Sequence, residues 1–427
     1  MKGLDDDKLQ IGDIILTTEN HLTSKAIRFA TNSDISHAML YVARGSVIDS
    51  TPEGVHARST GRMFFDDDCA VHVRRMRRAL TTAQTDVIVR YARAHIGTRY
   101  SVPDAVRSKV GTSRAPTRQQ FCSRLTAQAY SAADIKLVAT PDFCTPDDVK
   151  NSSLLESIED AVISISEAHV ESIERHFDTT VHMRETTNRL LSMARNASPT
   201  IESLNDINAY LISHPAEDAA IGQLYEQSGY LTAWKVQFES ERWQYELGLL
   251  TAMPGSNAEK RDYCLGVLRD HGEMLVRRDE NRAGYFILFD QHRLNTFSRL
   301  MAMYEHLVTL QIARRYVALQ WLARFAPEDL PAGAEGAASL RPHTEEWFAV
   351  LSRQNPQQAS VVRTVLEAVG STEVCTFCGD DPAPDYRLIE AGAPDSVMTV
   401  KLCDDCRRIR KDHHGETFVP LTQAGSE

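Results

Sequence analysis

Cys122 stands in the stretch TRQQFCSRLTAQAY, where a polar, turn-like segment gives way to Phe121, Leu125 and Ala129, apolar residues spaced for one face of a helix. A thiol at such a junction sits at the positive end of a helix dipole, beside unpaired first-turn N–H groups. That is one of the settings in which proteins activate a cysteine as a nucleophile. The plainer reading is a small buried residue packing a helix start. A nucleophilic cysteine needs a base to take its proton and a third group to fix the base's tautomer and orientation. Five histidines precede it: His21, His37, His56, His72 and His95. His37 opens the strand-like run SHAMLYV, where a fixed backbone would aim its ring, but His56 and His72 also lie on strand-like segments, so position alone does not choose among them. Asp49, in GSVIDST, lies on the next expected strand, and facing side chains of adjacent antiparallel strands are about 5 Å apart, within reach of His37.

A second set of reactive residues lies near the C-terminus. CTFCG and LCDDC place Cys375, Cys378, Cys403 and Cys406 as two CxxC pairs with 24 residues between them. Each pair can clamp one side of a tetrahedral ion, because the two intervening residues let a turn present both thiolates. A redox dithiol competes with this reading for one pair, but two matched pairs favour a structural, closed Zn2+ site. Gly379 suits a tight knuckle, and LCDDCRRIRKD reads as a second pair that begins a helix, as in a treble clef. His413 and His414 read as solvent-facing. So do the basic run Arg407, Arg408, Arg410 and Lys411, the acidic run Asp66 to Asp68 and the basic group Arg74 to Arg78.

These residues need elements to hold them. GDIILTT, SHAMLYVA, GSVIDST and CAVHVRRM read as strands, and LTSKAIRFATN between the first two reads as a helix. TTAQTDVIVRYARAHIG reads as another, with Val87, Val89, Tyr91 and Ala94 toward the core and Gly97 as its stop. Further on the texture becomes helical. TFSRLMAMYEHLVTLQIARRYVALQWLARF places Met301, Tyr304, Val308, Ile312, Tyr316 and Leu319 on one stripe, and LTAWKVQFESERWQYELGLL does the same with Trp234, Phe238, Tyr245 and Leu249. His214-Pro215 and Pro254-Gly255 read as breaks between helices. The expected organisation is an α+β domain over residues 1–155, an α-helical domain over 156–330, a linker at 331–343 in PAGAEGAASLRPH, and a zinc-binding module over 344–427.

The 427 residues are long for one core, and a formal charge of -11 argues against a surface built to coat nucleic acid. No apolar run of 18 residues occurs, so no transmembrane segment is expected. The acidic start MKGLDDDKLQIGDIIL is no secretory signal, and eight cysteines in a chain this size form no disulfide scaffold. A reducing, cytoplasmic setting follows as the expectation.

The order GDIILTT, FATNSDISHAMLYV, VIDSTPEGV, IGTRYS, FCSRLTAQAY and TPDDVKNS resembles the circularly permuted papain-like cysteine hydrolases of the NlpC-type superfamily, particularly the YiiX/YebB-like branch, over about the first 155 residues. The resemblance implies Cys122 as nucleophile, His37 as base, Asp49 as orienting acid and Tyr100 as a group that helps hold substrate or oxyanion. It further implies acyl transfer from an amide, peptide, ester or thioester through an acyl-enzyme. Two residues depart from the pattern: Arg124 stands where many relatives have an acid, which would change the charge near the pocket mouth, and Asp49 stands where Glu is frequent. A lipid-directed acyltransferase or thioesterase is the alternative within the enzyme class. A non-catalytic papain-like platform, recruiting a protein or nucleic-acid partner through the helical or zinc region, is the alternative outside it.

Overall fold

The structure, a computed structural model, describes residues 1–18, 33–101, 118–175, 177–330, 342–381, 383–389, 399–414 and 416–420. The expected helix LTSKAIRFATN, His21 and most of the expected linker lie outside these residues. The chain divides into two compact units, Met1–Ala233 and Trp234–Glu427.

The first unit is built on a six-stranded antiparallel sheet. Its strands are β2 (Ile14–Thr17), β3 (His37–Ala43), β4 (Ser46–Thr51), β5 (Gly54–Ser59), β6 (Val71–Met76) and β7 (Leu155–Ser157), in the spatial order β5-β4-β3-β2-β6-β7. A separate pair joins β1 (Lys2–Leu4) to β8 (Val162–Ser164). Central β2 is buried on both faces, which is why it reads as an unbroken apolar run rather than an alternation. Ile14 and Leu16 face one layer with Leu40 and Ile48, and Ile15 faces the other with Met39, Tyr41, Val47 and Val73.

Two helices cover the first of these faces. Helix α1 (Thr82–Ala94) starts at a Thr81–Gln84 capping box and buries Ile88, Val89 and Ala92. This corrects the expected core stripe: Val87 and Ala94 are exposed, because the helix turns its 88, 89 and 92 face to the sheet, with Val89 buried and Tyr91 half-buried as expected. Helix α2 (Cys122–Ala132) is buried on almost every side, from Cys122, Ser123, Arg124 and Leu125 to Ala129 and Tyr130. Small residues at 123, 127 and 129 let it lie close against β3 and β4. The Tyr130 hydroxyl donates to the Gly12 carbonyl and ties the far end of the helix to the chain entering β2.

The sequence TPDDVKNS forms a short helix, α3 (Pro146–Lys150), again behind a capping box, Thr145–Asp148. Beyond β7 and β8 the first unit becomes helical with α4 (Glu167–Glu174), α5 (Thr179–Ala197), α6 (Leu204–Ser213) and α7 (Asp218–Ser228). Helix α5 packs on β5 and ends on the turn after α1. There Arg195 donates to the Gly97 carbonyl at 2.7 Å and to the Glu202 carbonyl at 2.9 Å. The expected break at His214-Pro215 ends α6.

In the second unit the expected Trp234–Leu249 helix is interrupted. It consists of α8 (Ala233–Ser240), a 3-10 turn at Arg242–Gln244 and α9 (Leu247–Ala252), and Leu249 is exposed. Gly255, at φ +111°, and the Ser256–Glu259 capping box then start α10 (Asn257–His292), which returns as α11 (Asn295–Phe325) in a long antiparallel hairpin. Val308, Tyr316 and Leu319 of the expected α11 stripe are buried. Among the described residues no helix is long and apolar enough to cross a membrane. The C-terminal elements are α12 (Glu345–Gln354), α13 (Pro356–Val369), a three-stranded sheet of β9 (Asp385–Ile389), β10 (Thr399–Lys401) and β11 (Thr417–Pro420), and α14 (Asp404–His414). Trp347, Phe348, Leu351, Val362, Val400 and Leu402 form their core, with the Trp347 indole donating to the Thr399 carbonyl.

Gly97 has φ +89°, and a Cβ there would fall 2.0 Å from Leu191 of α5. Gly97→Ala is therefore expected to cost about 1–3 kcal/mol through backbone strain and the displaced leucine. The cost should appear as an earlier transition in denaturant titrations followed by circular dichroism.

Candidate active site and metal centre

The path from sequence to site begins where β3 starts. The backbone entering it is anchored on several sides: Ser33 donates to Asp147 of α3 at 2.7 Å, Asp34 accepts from His72 at 2.6 Å and from Lys150, and the Ser36 N–H reaches the Thr17 carbonyl. His37 follows as the first residue of β3. Its Nε2 is 2.8 Å from Asp49 Oδ2, with His37 4% and Asp49 0% exposed. Asp49 is not directly opposite His37 in the sheet. It pairs with Met39, so the imidazole meets the carboxylate along the diagonal.

Strand β5 supplies two partners that the sequence reading did not assign to the site. Asp49 pairs in register with His56, whose Nε2 lies 3.6 Å from Oδ1, and Arg58 Nη1 donates to Oδ2 at 3.1 Å. The available signal was the period-2 spacing of His56 and Arg58 in VHARS, which puts both on one face of the strand beside β4. Burial alone would raise the Asp49 pKa. The His37 hydrogen bond and the charges of His37, Arg58 and His56 outweigh it and hold the carboxyl well below its ordinary range. His56 moves the other way: burial, with Arg184 and Arg58 nearby, lowers it despite the pull of Asp49. A neutral His56 donates from Nδ1 to the Gly54 carbonyl at 3.0 Å. It leaves Oδ1 of Asp49 without a hydrogen-bond donor among the described residues.

The other histidines go elsewhere. His72 binds Asp34, and His95 Nδ1 meets the Tyr91 carbonyl at 2.9 Å.

Cys122 is the first residue of α2, 4% exposed, behind an extended Phe121 at the N-cap. Two contacts set the strand-like segment that delivers it. Gln120 forms a parallel bridge with Tyr100, through Gln120 N–H to the Arg99 carbonyl and Ser101 N–H to the Gln120 carbonyl. The chain of Arg99 and Tyr100 is fixed in turn from the helical segment: Arg99 makes a fork to Glu202 at 3.0 and 2.5 Å, and Arg118 reaches Asp206 and the Thr200 carbonyl.

Arg124 is not at a pocket mouth. It is 0% exposed, packs its guanidinium over Phe121 and Phe143 at 4.6 and 5.2 Å, and donates to the Gln119 and Asp142 carbonyls at 2.8 Å. Its planar donors tie two backbone segments while the guanidinium stacks on two rings. The neighbouring thiol Cys144 is pushed up to about 12, by burial first and then by the charge of Asp148.

The second cluster brings Cys375, Cys378, Cys403 and Cys406 together, their sulfurs all within 4.8 Å of one another. Cys378 and Cys403 sulfurs are 3.5 Å apart, close to the roughly 3.8 Å expected of two thiolates on a tetrahedral ion with bonds of about 2.3 Å. The knuckle closes by Gly379 N–H to the Cys375 carbonyl, with Gly379 at φ +79°, and the Cys406 N–H points at the Cys403 sulfur at 3.5 Å. Cys403 and Cys406 flank the start of α14, as the expected helix requires. Four converging sulfurs can hold a metal ion. Most of the basic run beside them is occupied: Arg407 pairs with Asp404, Arg408 with Asp405, and Arg410 with Glu416.

Residues 8–171 match a sequence family described as permuted papain-like amidase enzyme, YaeF/YiiX, C92 family. The solved metalloprotein yiiX from Escherichia coli O157:H7 is similar at 19% identity over 35% of this chain and 97% of its own, with a TM-score of 0.29. No curated protein matches the chain. The match lies within the first unit and is to a papain-like fold, while much of the described chain beyond it is helical.

Asp49→Asn is expected to lower stability by roughly 3 kcal/mol at neutral pH, since it removes one partner of a buried charged pair. A depressed carboxyl contributes fully above its unfolded pKa, about 4, and loses that contribution as pH falls through the folded value. The gap between wild type and variant should therefore hold from pH 7 to about 5 and narrow only in stronger acid, as read by denaturant titrations across pH.

Proposed function

We propose that the first unit is a cysteine hydrolase that cleaves an amide bond, with Cys122 as nucleophile, His37 as base and Asp49 as the group that orients it. The observation that carries this reading is the buried His37–Asp49 hydrogen bond at 2.8 Å, on strands against which the Cys122 helix packs. The amidase description of the family matched over residues 8–171 supports the bond type. With Nε2 engaged by Asp49, proton exchange with Cys122 goes through Nδ1. The Cys122 sulfur attacks the substrate carbonyl carbon as its proton passes to His37. The oxyanion is received by the Cys122 backbone N–H and the Tyr100 hydroxyl. The C–N bond then breaks with that proton delivered to the leaving amine, and a water deprotonated by His37 releases the acyl group and restores the thiol. The substrate class is a peptide or other amide-linked or acylated molecule. A reducing, cytoplasmic setting accords with eight cysteines of which none is in a disulfide.

If Cys122 is the nucleophile, a mild alkylating agent should modify it faster than Cys69, Cys144 or Cys264, whose thiols are all pushed up by burial. His37→Ala should slow that reaction near neutral pH, because the group that takes the proton is lost. Asp49→Asn should slow it less while cutting turnover of an amide substrate about 10²-fold or more. A Cys122 rate no higher than that of the other three thiols, and indifferent to His37, refutes the assignment.

We further propose that Cys375, Cys378, Cys403 and Cys406 hold one structural Zn2+. Four soft thiolates fill a tetrahedral shell and leave no position for substrate. Elemental analysis should find about one zinc per chain and none in a Cys375→Ser, Cys403→Ser double variant. Full zinc content in that variant would refute the site.

A further inference from the structure

Several arginines on or beside the helical hairpin are paired: Arg261, Arg269, Arg282 and Arg293 each hold a carboxylate within 3.4 Å, counting the closest contact of each. Arg277 and Arg278 on α10 and Arg314 and Arg315 on α11 are half-buried, yet among the described residues none has a carboxylate within 4.0 Å. This inverts the usual order, in which the more buried a cation is, the more strictly it is paired.

Their hydrogen bonds are few. Arg278 donates to the Leu307 carbonyl across the hairpin at 2.7 Å, Arg314 donates to the Tyr263 hydroxyl at 3.1 Å, and Arg277 reaches only the Met274 sulfur. The guanidiniums of Arg277 and Arg314 add positive charge at Arg278, with the Tyr245 and Tyr304 side chains near enough to act on it. Tyr245 lies in the field of both Arg278 and Arg314, between α10 and α11. Carboxylates act only from the margins, Glu241 on Arg314 and Glu273 on Arg277, and Glu241 already accepts from Gln237 and Gln244. The hairpin thus gathers guanidiniums with no carboxylate within 4.0 Å of them among the described residues.

We propose that Arg278 and Arg314, with Arg277 beside them and the hydroxyls of Tyr245 and Tyr263, form a binding site for a phosphate-bearing ligand. Guanidinium forks fit the oxygens of a phosphoryl group in bidentate fashion, and a multiply charged anion offsets three clustered cations where a single carboxylate would not. Partial burial makes each contact stronger than at an open surface while leaving the groups reachable.

Calorimetric titration of the full-length protein with pyrophosphate tests this. The expected result is saturable binding that weakens as salt rises, an increase in Tm on addition of pyrophosphate, affinity at least 10-fold lower in R278Q and in R314Q, and no binding in the double variant. R278K, which keeps the charge but loses the fork, should fall between wild type and R278Q, and it remains informative if the double variant loses helical circular dichroism. Absence of saturable binding to the wild type would overturn the proposal, because the arginines would then merely cover apolar surface with their stems. So would undiminished affinity in the two glutamine variants, or a dimer that depends on Arg278 and Arg314, which would assign their counter-charges to a second copy of the chain.

Discussion

A carboxylate sealed from water inside a β-sheet is the constraint around which the first unit is arranged. Isolated, an ionised Asp49 would cost several kcal/mol of lost hydration, so its environment must supply donors or let it become neutral. It is met from both sides of its own strand, by His37 of β3 and by Arg58 of β5, with His56 directly opposite. Register is therefore not a detail here. A one-residue slip of β3 or β5 would turn every one of these side chains to the other face and leave the charge unpaired.

The same logic extends to the two segments that carry the neighbouring groups. Backbone that must hold a fixed path at a sheet end or helix start has few partners of its own, and here side chains provide them. Ser33 and Asp34 are tied to α3 and β6 ahead of His37. Arg124 joins the carbonyls of Gln119 and Asp142 beneath Cys122. The bridge between Tyr100 and Gln120 is backed by Glu202 through Arg99. Glu202 and Arg195 lie beyond residues 8–171, so the chain past the family-matched stretch takes part in shaping this end of the domain. The charged clamps are partly buried and forked, the geometry in which an arginine–carboxylate pair is worth more than an open surface pair.

The C-terminal elements solve a different problem. Their core is a group of apolar side chains around Trp347, Phe348 and Val362. Four sulfurs drawn together from a knuckle and a helix start converge on one site, and an ion bound there would add binding free energy directly to folding.

Much of this was legible in the chain itself. Four of the six sheet strands follow from short β-branched runs between turn residues, α11 follows from its apolar stripe, the break before α10 follows from Pro254-Gly255, and the two CxxC pairs announce their own convergence, because each of these signals is local. That His37 and Asp49 lie on neighbouring strands was legible for the same reason, while their diagonal meeting across the Met39–Asp49 pair was not. What residue order alone did not decide was which cations share Asp49, where Arg124 goes, and how the Trp234–Leu249 segment breaks. Arg58 meets Asp49 only because β5 lies beside β4, and Arg124 becomes a buried clamp only because Phe143 returns to cover it. Neighbouring residues set periodicity, caps and metal-ligand spacing. The partners of a buried charge are set by strands and loops that meet from distant parts of the chain, where the cost of leaving that charge unpaired selects the arrangement.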